Sequence, residues 1–177
     1  MNRKRFLIIT LTFLLVLSSV FNTQALAETL INNNLDEDGI PIGEFKALDK
    51  DGNLIDDIEN YLKRRDSGWM YTRRSETYEL KDYSTIVGYF YSSGKFRCDF
   101  NKNITSFGED SSRAWAAYDP DNVWAKSSVT GSYKPNSSTG RLTITGEAGD
   151  ILLQIYGGMH HTYYFYGNGT WSMTVFG

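Results

Sequence analysis

The sequence predicts a mainly β fold: an antiparallel β-sandwich or barrel built of consecutive hairpins, with one N-terminal amphipathic helix. Three observations support this fold class. From Gly68 onward, short β-branched and aromatic runs alternate with turn residues at short intervals. The segment Gly157–Gly177 has the pattern of a hairpin, because Gly167–Gly169 separates two such runs with residues that tolerate positive φ. Ahead of these runs, Leu54–Arg65 carries the apolar spacing of a helix.

The N-terminus has the composition of a secretory signal peptide. A basic segment, Asn2–Arg5, precedes the apolar run Phe6–Val20, and Ala25–Ala27 supplies the small residues of a cleavage site. We expect cleavage after the last of these alanines and secretion of residues 28–177 as an extracellular protein. A single membrane anchor is the alternative, because the run approaches the ~17 residues that can just span a bilayer. No second apolar run follows, so we expect no membrane span after the signal peptide is removed.

Cysteine content and charge narrow the class of protein. Cys98 is the one cysteine of the sequence, and secreted eukaryotic domains usually carry paired cysteines, so its isolation favours a bacterial source. Eleven acids and five bases fall in Glu28–Asp66, whereas Ser67–Gly177 holds ten of each. Because neither part forms the basic stripe that phosphate binding needs, we expect no nucleic-acid partner.

Residues 28–52 are predicted to be an acidic arm or linker, followed by a single β-rich domain at residues 53–177. The pattern L-D-x-D-G-x-x-I occurs twice, thirteen residues apart. Asp49, Asp51 and Asn53 have the alternation of an oxygen-rich Ca²⁺ loop, but the glycine is misplaced and no Glu closes the loop. We favour ordinary Asp-Gly turn chemistry, with no metal and no cofactor. A removable pro-segment remains an open alternative for the arm.

The predicted helix spans about Leu54 to Arg65. Its acidic residues come early and its basic residues late, which suits the helix dipole, and Asn53 is a suitable N-cap. Because the polar face is as acidic as it is basic, we expect the helix to cover the sheet rather than to insert into a membrane.

The first strands after the helix are predicted to form a hairpin. Thr85–Tyr91 and Lys95–Phe100 flank Ser92–Gly94, which has the composition of a turn. Cys98 alternates in phase with two phenylalanines, so we expect a core thiol and not a nucleophile. Residues 101–112 are polar and lack periodicity, and are predicted to be a loop.

The last two hairpins decide which rings face the core. If Glu147–Asp150 is a four-residue loop, Ile144 lies opposite Leu153 and both are buried.

At the C-terminal hairpin, a two-residue loop at Asn168-Gly169 buries Tyr164 and Tyr166, whereas a three-residue loop that begins at Gly167 buries Tyr163 and Phe165 instead. We favour the two-residue loop, because Asn-Gly is the strongest short hairpin signal. The favoured register therefore places Tyr164 and Tyr166 inward and leaves three side chains outward: Tyr163, Phe165 and His161.

Aromatic residues are the strongest functional signal in the sequence. A rigid ring on a sheet provides a large contact area at little entropic cost, which suits stacking on a sugar or a partner surface. Burial of the rings under a second layer is the alternative. The candidate ligand-binding residues are Tyr163, Phe165, His161, Trp115, Tyr118 and Trp124.

These observations favour a secreted, non-catalytic binding module that recognises a polysaccharide, a cell wall or a partner protein. A matrix, toxin or inhibitor-type protein acting by self-association or surface contact is one alternative, and an envelope hydrolase with an unrecognised site is another. The sequence contains no H-E-x-x-H, G-x-S-x-G or phosphate-loop motif. His160 and His161 are adjacent and point to opposite faces of a strand. We therefore assign no catalytic residue, and the ligand and oligomeric state stay open.

Overall fold

A computed structural model describes residues 45–63, 68–73, 76–118 and 122–177. The predictions for the signal peptide, its cleavage site and most of the acidic arm lie outside these residues. Within them the protein is mainly β with antiparallel sheets, as predicted. The described elements, in chain order, are β1 (Phe45–Lys46), α1 (Ile58–Lys63), β2 (Met70–Tyr71), β3 (Tyr78–Asp82), β4 (Thr85–Cys98), β5 (Ile104–Ala116), β6 (Val123–Asn136), β7 (Thr139–Asp150), β8 (Ile155–Tyr166) and β9 (Thr170–Phe176).

The strands form two antiparallel sheets. The larger sheet has the strand order β1-β9-β8-β7-β6. The smaller sheet is built around β4, which pairs with β5 along one edge and with β2 and β3 along the other. Hairpins connect most of the neighbouring strands, because the sequence places turn residues between consecutive runs of strand formers.

One hydrophobic core joins the inner faces of the two sheets. Phe96 of β4 stacks on Phe165 of β8 with ring centroids 5.0 Å apart, and Phe90 packs on His161 at 4.5 Å. Burial of such rings is the main source of folding free energy in a domain of this size. The largest fully buried side chains are Tyr163, Phe90, Phe96, Phe165, Met70, Leu80, Ile104, Leu142 and Ile144.

Strand β4 continues through Ser92–Gly94, so the hairpin turn predicted there is wrong. The Ser92 hydroxyl points into the core, where it bonds with His161 Nδ1 at 2.8 Å and with the Tyr163 hydroxyl at 2.9 Å. Gly94 makes room for Phe165, because a Cβ at this position would lie 2.6 Å from the Phe165 Cζ atom. Small residues at this point of β4 therefore serve the packing between the sheets and not a chain reversal.

The loop predicted at residues 101–112 is also wrong beyond residue 103. Strand β5 begins at Ile104 and pairs with β4 as far as Ala116 opposite Gly88. Most of β5 is only half-buried, so its residues lack the apolar alternation that identifies a strand with one fully buried face.

The C-terminal hairpin has a three-residue loop, and the two-residue loop favoured from the sequence is wrong. Phe165 lies opposite Trp171, which reverses the faces of the aromatic run. Only Gly169 in the loop has positive φ, +83°, whereas the Asn-Gly type I′ turn needs positive φ at both central residues. Tyr163 and Phe165 therefore face the core.

The turn between β7 and β8 also differs from the prediction. Glu147–Asp150 is part of β7, and the chain reverses at Ile151–Gln154. The Asp150 carboxylate accepts hydrogen bonds from the backbone amides of Leu152 and Leu153, at 2.8 and 3.0 Å, and so fixes the turn after itself. Leu153, predicted to be in the core, has 64% of its surface exposed.

The folded region includes part of the predicted acidic arm. Phe45 of β1 pairs with Trp171 of β9, and Ala47 is fully buried. Residues at the end of the predicted arm therefore pack against the β-rich part of the chain. The short helix α1 lies within the predicted helical segment, but Leu54 forms a bridge with Leu48 rather than the first helical turn. The predicted end of the helix falls on residues that the structure does not describe. No helix in the described part of the chain is long and apolar enough to span a bilayer.

Candidate functional site

Side chains along β4 alternate between the core and the outer face of the smaller sheet. Tyr89 and Tyr91 are half-buried on the outer face, as is Lys95, and Arg97 is exposed there. Directly opposite residues of an antiparallel pair share a face. Pairing with β5 and β2 therefore extends this outer face into one surface, which we call the aromatic–basic strip. The rings of the strip are Trp69, Tyr71, Tyr89, Tyr91 and Trp115, and its cations are Arg73, Lys95, Arg97 and Arg113.

Trp69 forms one end of the strip with two cations. Arg97 places its Cζ atom 4.5 Å from the centroid of the indole ring, and Lys95 places its Nζ atom 5.3 Å from it. These distances are within the range of attractive cation–π contacts. The Trp69 ring is half-buried beside these two cations.

The middle of the strip is held by Arg73 and Asp110. Arg73 lies over the Tyr71 ring, 4.4 Å from its centroid, and its Nε atom donates to Asp110 Oδ2 at 3.2 Å. The Ser93 hydroxyl donates to the same carboxylate oxygen at 3.3 Å. Asp110 is thereby engaged with partners inside the strip.

Trp115 and Tyr89 form the other end. Their rings stack with centroids 5.7 Å apart and planes 27° from parallel, and Arg113 lies 5.8 Å from the Trp115 centroid. The hydroxyl groups of Tyr91 and Ser111 are hydrogen-bonded to each other. From Tyr89 to Arg97 the strip measures about 27 Å, since an antiparallel strand rises roughly 3.4 Å per residue.

The strip is positively charged in a chain whose formal net charge is −3. Its four cations outnumber Asp110, the carboxylate between them. Glu79, which lies opposite Tyr89, forms an ion pair with Lys81 at 2.6 Å. Flat rings with adjacent cations are suited to a ligand that has apolar faces and negative charges.

Three of the six predicted ligand-binding residues are in the core, which corrects that prediction. Tyr163, Phe165 and His161 have 2%, 0% and 1% of their surface exposed, because the three-residue C-terminal loop turns their side of β8 inward. They cannot contact a ligand in the folded protein.

The other three predicted residues lie apart from one another. Trp115 belongs to the aromatic–basic strip. Trp124 is on the larger sheet, where its ring lies 6.0 Å from that of Tyr156. Tyr118 follows β5 and directs its hydroxyl group to Asp150 Oδ2 at 3.3 Å. The shared face of Tyr89, Tyr91, Lys95 and Arg97 could have been found from their alternation along one strand, had Ser92–Gly94 not been interpreted as a turn.

His161 and Ser92 belong to a closed hydrogen-bond network in the core. The Tyr163 hydroxyl donates to the Ser92 carbonyl oxygen at 2.6 Å, so the Ser92 hydroxyl can donate to Tyr163 while it accepts from His161 Nδ1. His161 Nε2 has no hydrogen-bond partner among the described residues. Burial lowers the pKa of His161 to about 4, since a charge on the ring has no compensating partner there. The network stabilises the core and is sealed from substrates.

Cys98 is a core thiol, as predicted. It is 9% exposed, and burial raises its pKa to about 11. The thiolate that a nucleophile requires is therefore disfavoured at neutral pH.

The weak calcium candidate has the geometry of a turn. The Asp49 carboxylate accepts from the backbone amides of Asp51 and Asn53, both at 2.9 Å, which lowers its pKa. Asp99 makes the same pattern with Asn101 and Asn103. Among the described residues, no group of three or more His, Cys, Asp or Glu side chains is arranged to hold a metal ion.

The outer face of the larger sheet carries a shallow groove of about 450 Å³. Tyr133, Arg141 and His160 line it together with threonine and serine side chains. His160 Nδ1 is hydrogen-bonded to the Thr145 hydroxyl at 2.7 Å. This groove has one cation and lacks the row of rings found on the smaller sheet.

Comparison of the chain with protein-family models, curated proteins and solved structures found no match. A functional assignment therefore depends on the geometry and charge of the surfaces described above. Of these surfaces, the aromatic–basic strip combines its rings with the most cations, since it carries four whereas the groove carries Arg141.

Proposed function

We propose that this chain is a secreted, non-catalytic binding module, a β-sandwich whose aromatic–basic strip binds an anionic polysaccharide of a cell surface or cell wall. The observation that carries the proposal is the alternation of half-buried rings and cations along about 27 Å of the outer face of the smaller sheet. The apolar run and cleavage motif at the N-terminus support secretion.

The rings are suited to stacking because their orientations are fixed before a ligand arrives. Trp69 is held by Arg97 and Lys95, and Trp115 by Tyr89 and Arg113. A preorganised ring loses little side-chain entropy on binding, so more of the contact energy contributes to affinity. The apolar face of a sugar ring can stack on such a surface.

The cations favour a charged polysaccharide over a neutral one. Arg97 and Arg113 are exposed beside the rings, where guanidinium groups can donate two hydrogen bonds to one carboxylate, sulfate or phosphate group. A single-stranded nucleic acid combines stacking with anionic charge in a similar way, and is therefore a necessary competitor in any test.

Binding of the purified protein to dextran sulfate, polygalacturonate, neutral dextran and oligothymidylate tests the proposal. We expect binding to at least one of the two anionic polysaccharides, no binding to dextran and weaker binding to oligothymidylate. Trp115→Ala should weaken the binding about tenfold, equivalent to roughly 1.4 kcal/mol. Tyr133→Ala, at a 59% exposed tyrosine of the larger sheet, is the matched control and should leave affinity unchanged. Tighter binding to oligothymidylate, or equal losses in both variants, would overturn the proposal.

A further inference from the structure

The turn between β7 and β8 presents three consecutive aliphatic side chains to solvent. Ile151, Leu152 and Leu153 are 68%, 75% and 64% exposed, and we call them the apolar tip. Scattered exposed aliphatic residues are ordinary, but a run of three at a turn is unusual unless it has a function.

The backbone of the apolar tip is held in place by hydrogen bonds. The amide of Ile151 donates to the Asn122 carbonyl oxygen at 3.1 Å, and those of Leu152 and Leu153 donate to Asp150 Oδ1. The Asn122 side-chain amide also donates to Asp150 Oδ1, at 2.8 Å. Three successive N–H groups are thus satisfied before the tip meets any partner.

Tyrosines lie at the same end of the molecule. Tyr156 is 50% exposed, and its backbone amide donates to Asp82 Oδ2 at 3.0 Å, which brings the turn between β3 and β4 to this end. That turn carries Tyr83, which is 99% exposed. Tyr118, 37% exposed, reaches Asp150 from the end of β5.

We propose that the apolar tip inserts shallowly into the interfacial region of a zwitterionic lipid bilayer. A polar backbone group that enters an apolar medium without a hydrogen bond costs several kcal/mol, and the three amides of the tip already have partners. Tyrosine is enriched at the level of lipid headgroups, where its ring is apolar and its hydroxyl group is hydrated.

The charges near the tip point to a zwitterionic surface rather than an anionic one. Asp150 and Asp82 accept backbone hydrogen bonds, and Lys126 forms an ion pair with Glu147 at 2.7 Å. This end therefore has no excess of cations among the described side chains to attract anionic lipids. Apolar burial must supply the affinity.

The size of the patch also favours a lipid over a protein. The apolar tip consists of three side chains, whereas a specific protein–protein interface takes about 20–30 residues from each partner. A bilayer imposes no such requirement, since each inserted side chain gains from burial independently.

Co-sedimentation of the secreted protein, residues 28–177, with phosphatidylcholine vesicles tests this inference, because the apolar run Phe6–Val20 would itself bind a bilayer. We expect binding that is insensitive to salt between about 0.1 and 1 M, because it does not depend on screened charges. The double variant Leu152→Ser with Leu153→Ser should reduce the partition coefficient at least about tenfold. Val129→Ser, at a 44% exposed aliphatic residue of β6, is the matched control and should bind as the parent does.

Trp115→Ala should also bind vesicles like the parent, so a failure of the polysaccharide proposal and a failure of this one are distinguishable. Absence of binding to phosphatidylcholine, or binding that the double variant retains, would overturn the inference. A concentration-dependent dimer that is lost in the double variant would assign the tip to self-association and would overturn it too.

Discussion

The two faces of β4 contain similar aromatic residues but differ in exposure and in neighbours. On the inner face Phe90 and Phe96 are fully buried against rings of β8. On the outer face Tyr89 and Tyr91 are half-buried beside residues of β5 and close to cations. The presence of aromatic rings therefore does not distinguish the core from the outer surface in this protein. The layer opposite each face makes the distinction.

The largest expected difference is in stability. Phe96→Ala should lower the free energy of unfolding by about 3–5 kcal/mol, because it removes a ring that stacks on Phe165 and leaves a cavity. Tyr89→Ala on the outer face should lower it by only about 1 kcal/mol, since water already reaches that ring. Urea denaturation of both variants measures the two losses. Equal losses would contradict the assignment of the faces.

The buried histidine adds a pH dependence to the inner face. The pKa of His161 is lowered to about 4 from an ordinary value of 6.5, so its contribution to stability is complete above pH 6.5 and is lost as the pH falls toward 4. The total is about 3 kcal/mol. Denaturation curves between pH 7 and 4 should show a steeper loss for the parent than for His161→Gln. A parent slope equal to that of His161→Gln would refute the account.

Two glycines of the smaller sheet provide a matched test of packing between the sheets. Gly94→Ala should cost about 1–3 kcal/mol of unfolding free energy, because the added Cβ would lie 2.6 Å from Phe165 Cζ. Gly108→Ala, on β5, meets no atom within 4 Å and should have little effect. Thermal denaturation of the two variants decides the point, and a comparable loss in both would show that Gly94 does not serve the contact with Phe165.

The smallest expected effect concerns charge on the outer face. Arg97→Gln should weaken binding to dextran sulfate severalfold and reduce the dependence of affinity on salt, because one cation is lost from the strip. Its stability should change by less than about 0.5 kcal/mol, since Arg97 is exposed. A full loss of folding in this variant, or an unchanged salt dependence, would argue against an electrostatic role for the strip.

The sequence predicted the class of the fold better than the roles of individual rings. Alternation along β9 correctly placed Trp171 in the core, because a strand with one buried face shows a period of two. Turn residues were misleading where they serve packing: Gly94 accommodates Phe165 within a continuous strand, and Asn168 does not adopt the positive φ of a type I′ turn. One error in loop length then reversed a whole strand, since a register shift of one residue exchanges its faces.

The candidate strip depends on contacts between residues that are distant in the sequence. Trp69 meets Arg97, and Arg73 meets Asp110, through the pairing of β2 and β5 with β4. No local pattern specifies those neighbours. Trp115 was found because a tryptophan in a short strand is conspicuous, whereas its stacking partner Tyr89 became apparent only from the ladder between β4 and β5.

The four tryptophans of the chain permit the most direct test of the central claim. Trp69 and Trp115 lie on the strip, Trp124 lies on the other sheet and Trp171 is in the core. Protein labelled with 5-fluorotryptophan can be titrated with dextran sulfate, or with polygalacturonate if that is the polymer it binds, while fluorine NMR resolves each indole. We expect the resonances of the two strip tryptophans to shift and those of the other two to stay in place. A shift confined to Trp124, or equal shifts at all four positions, would contradict binding at the strip.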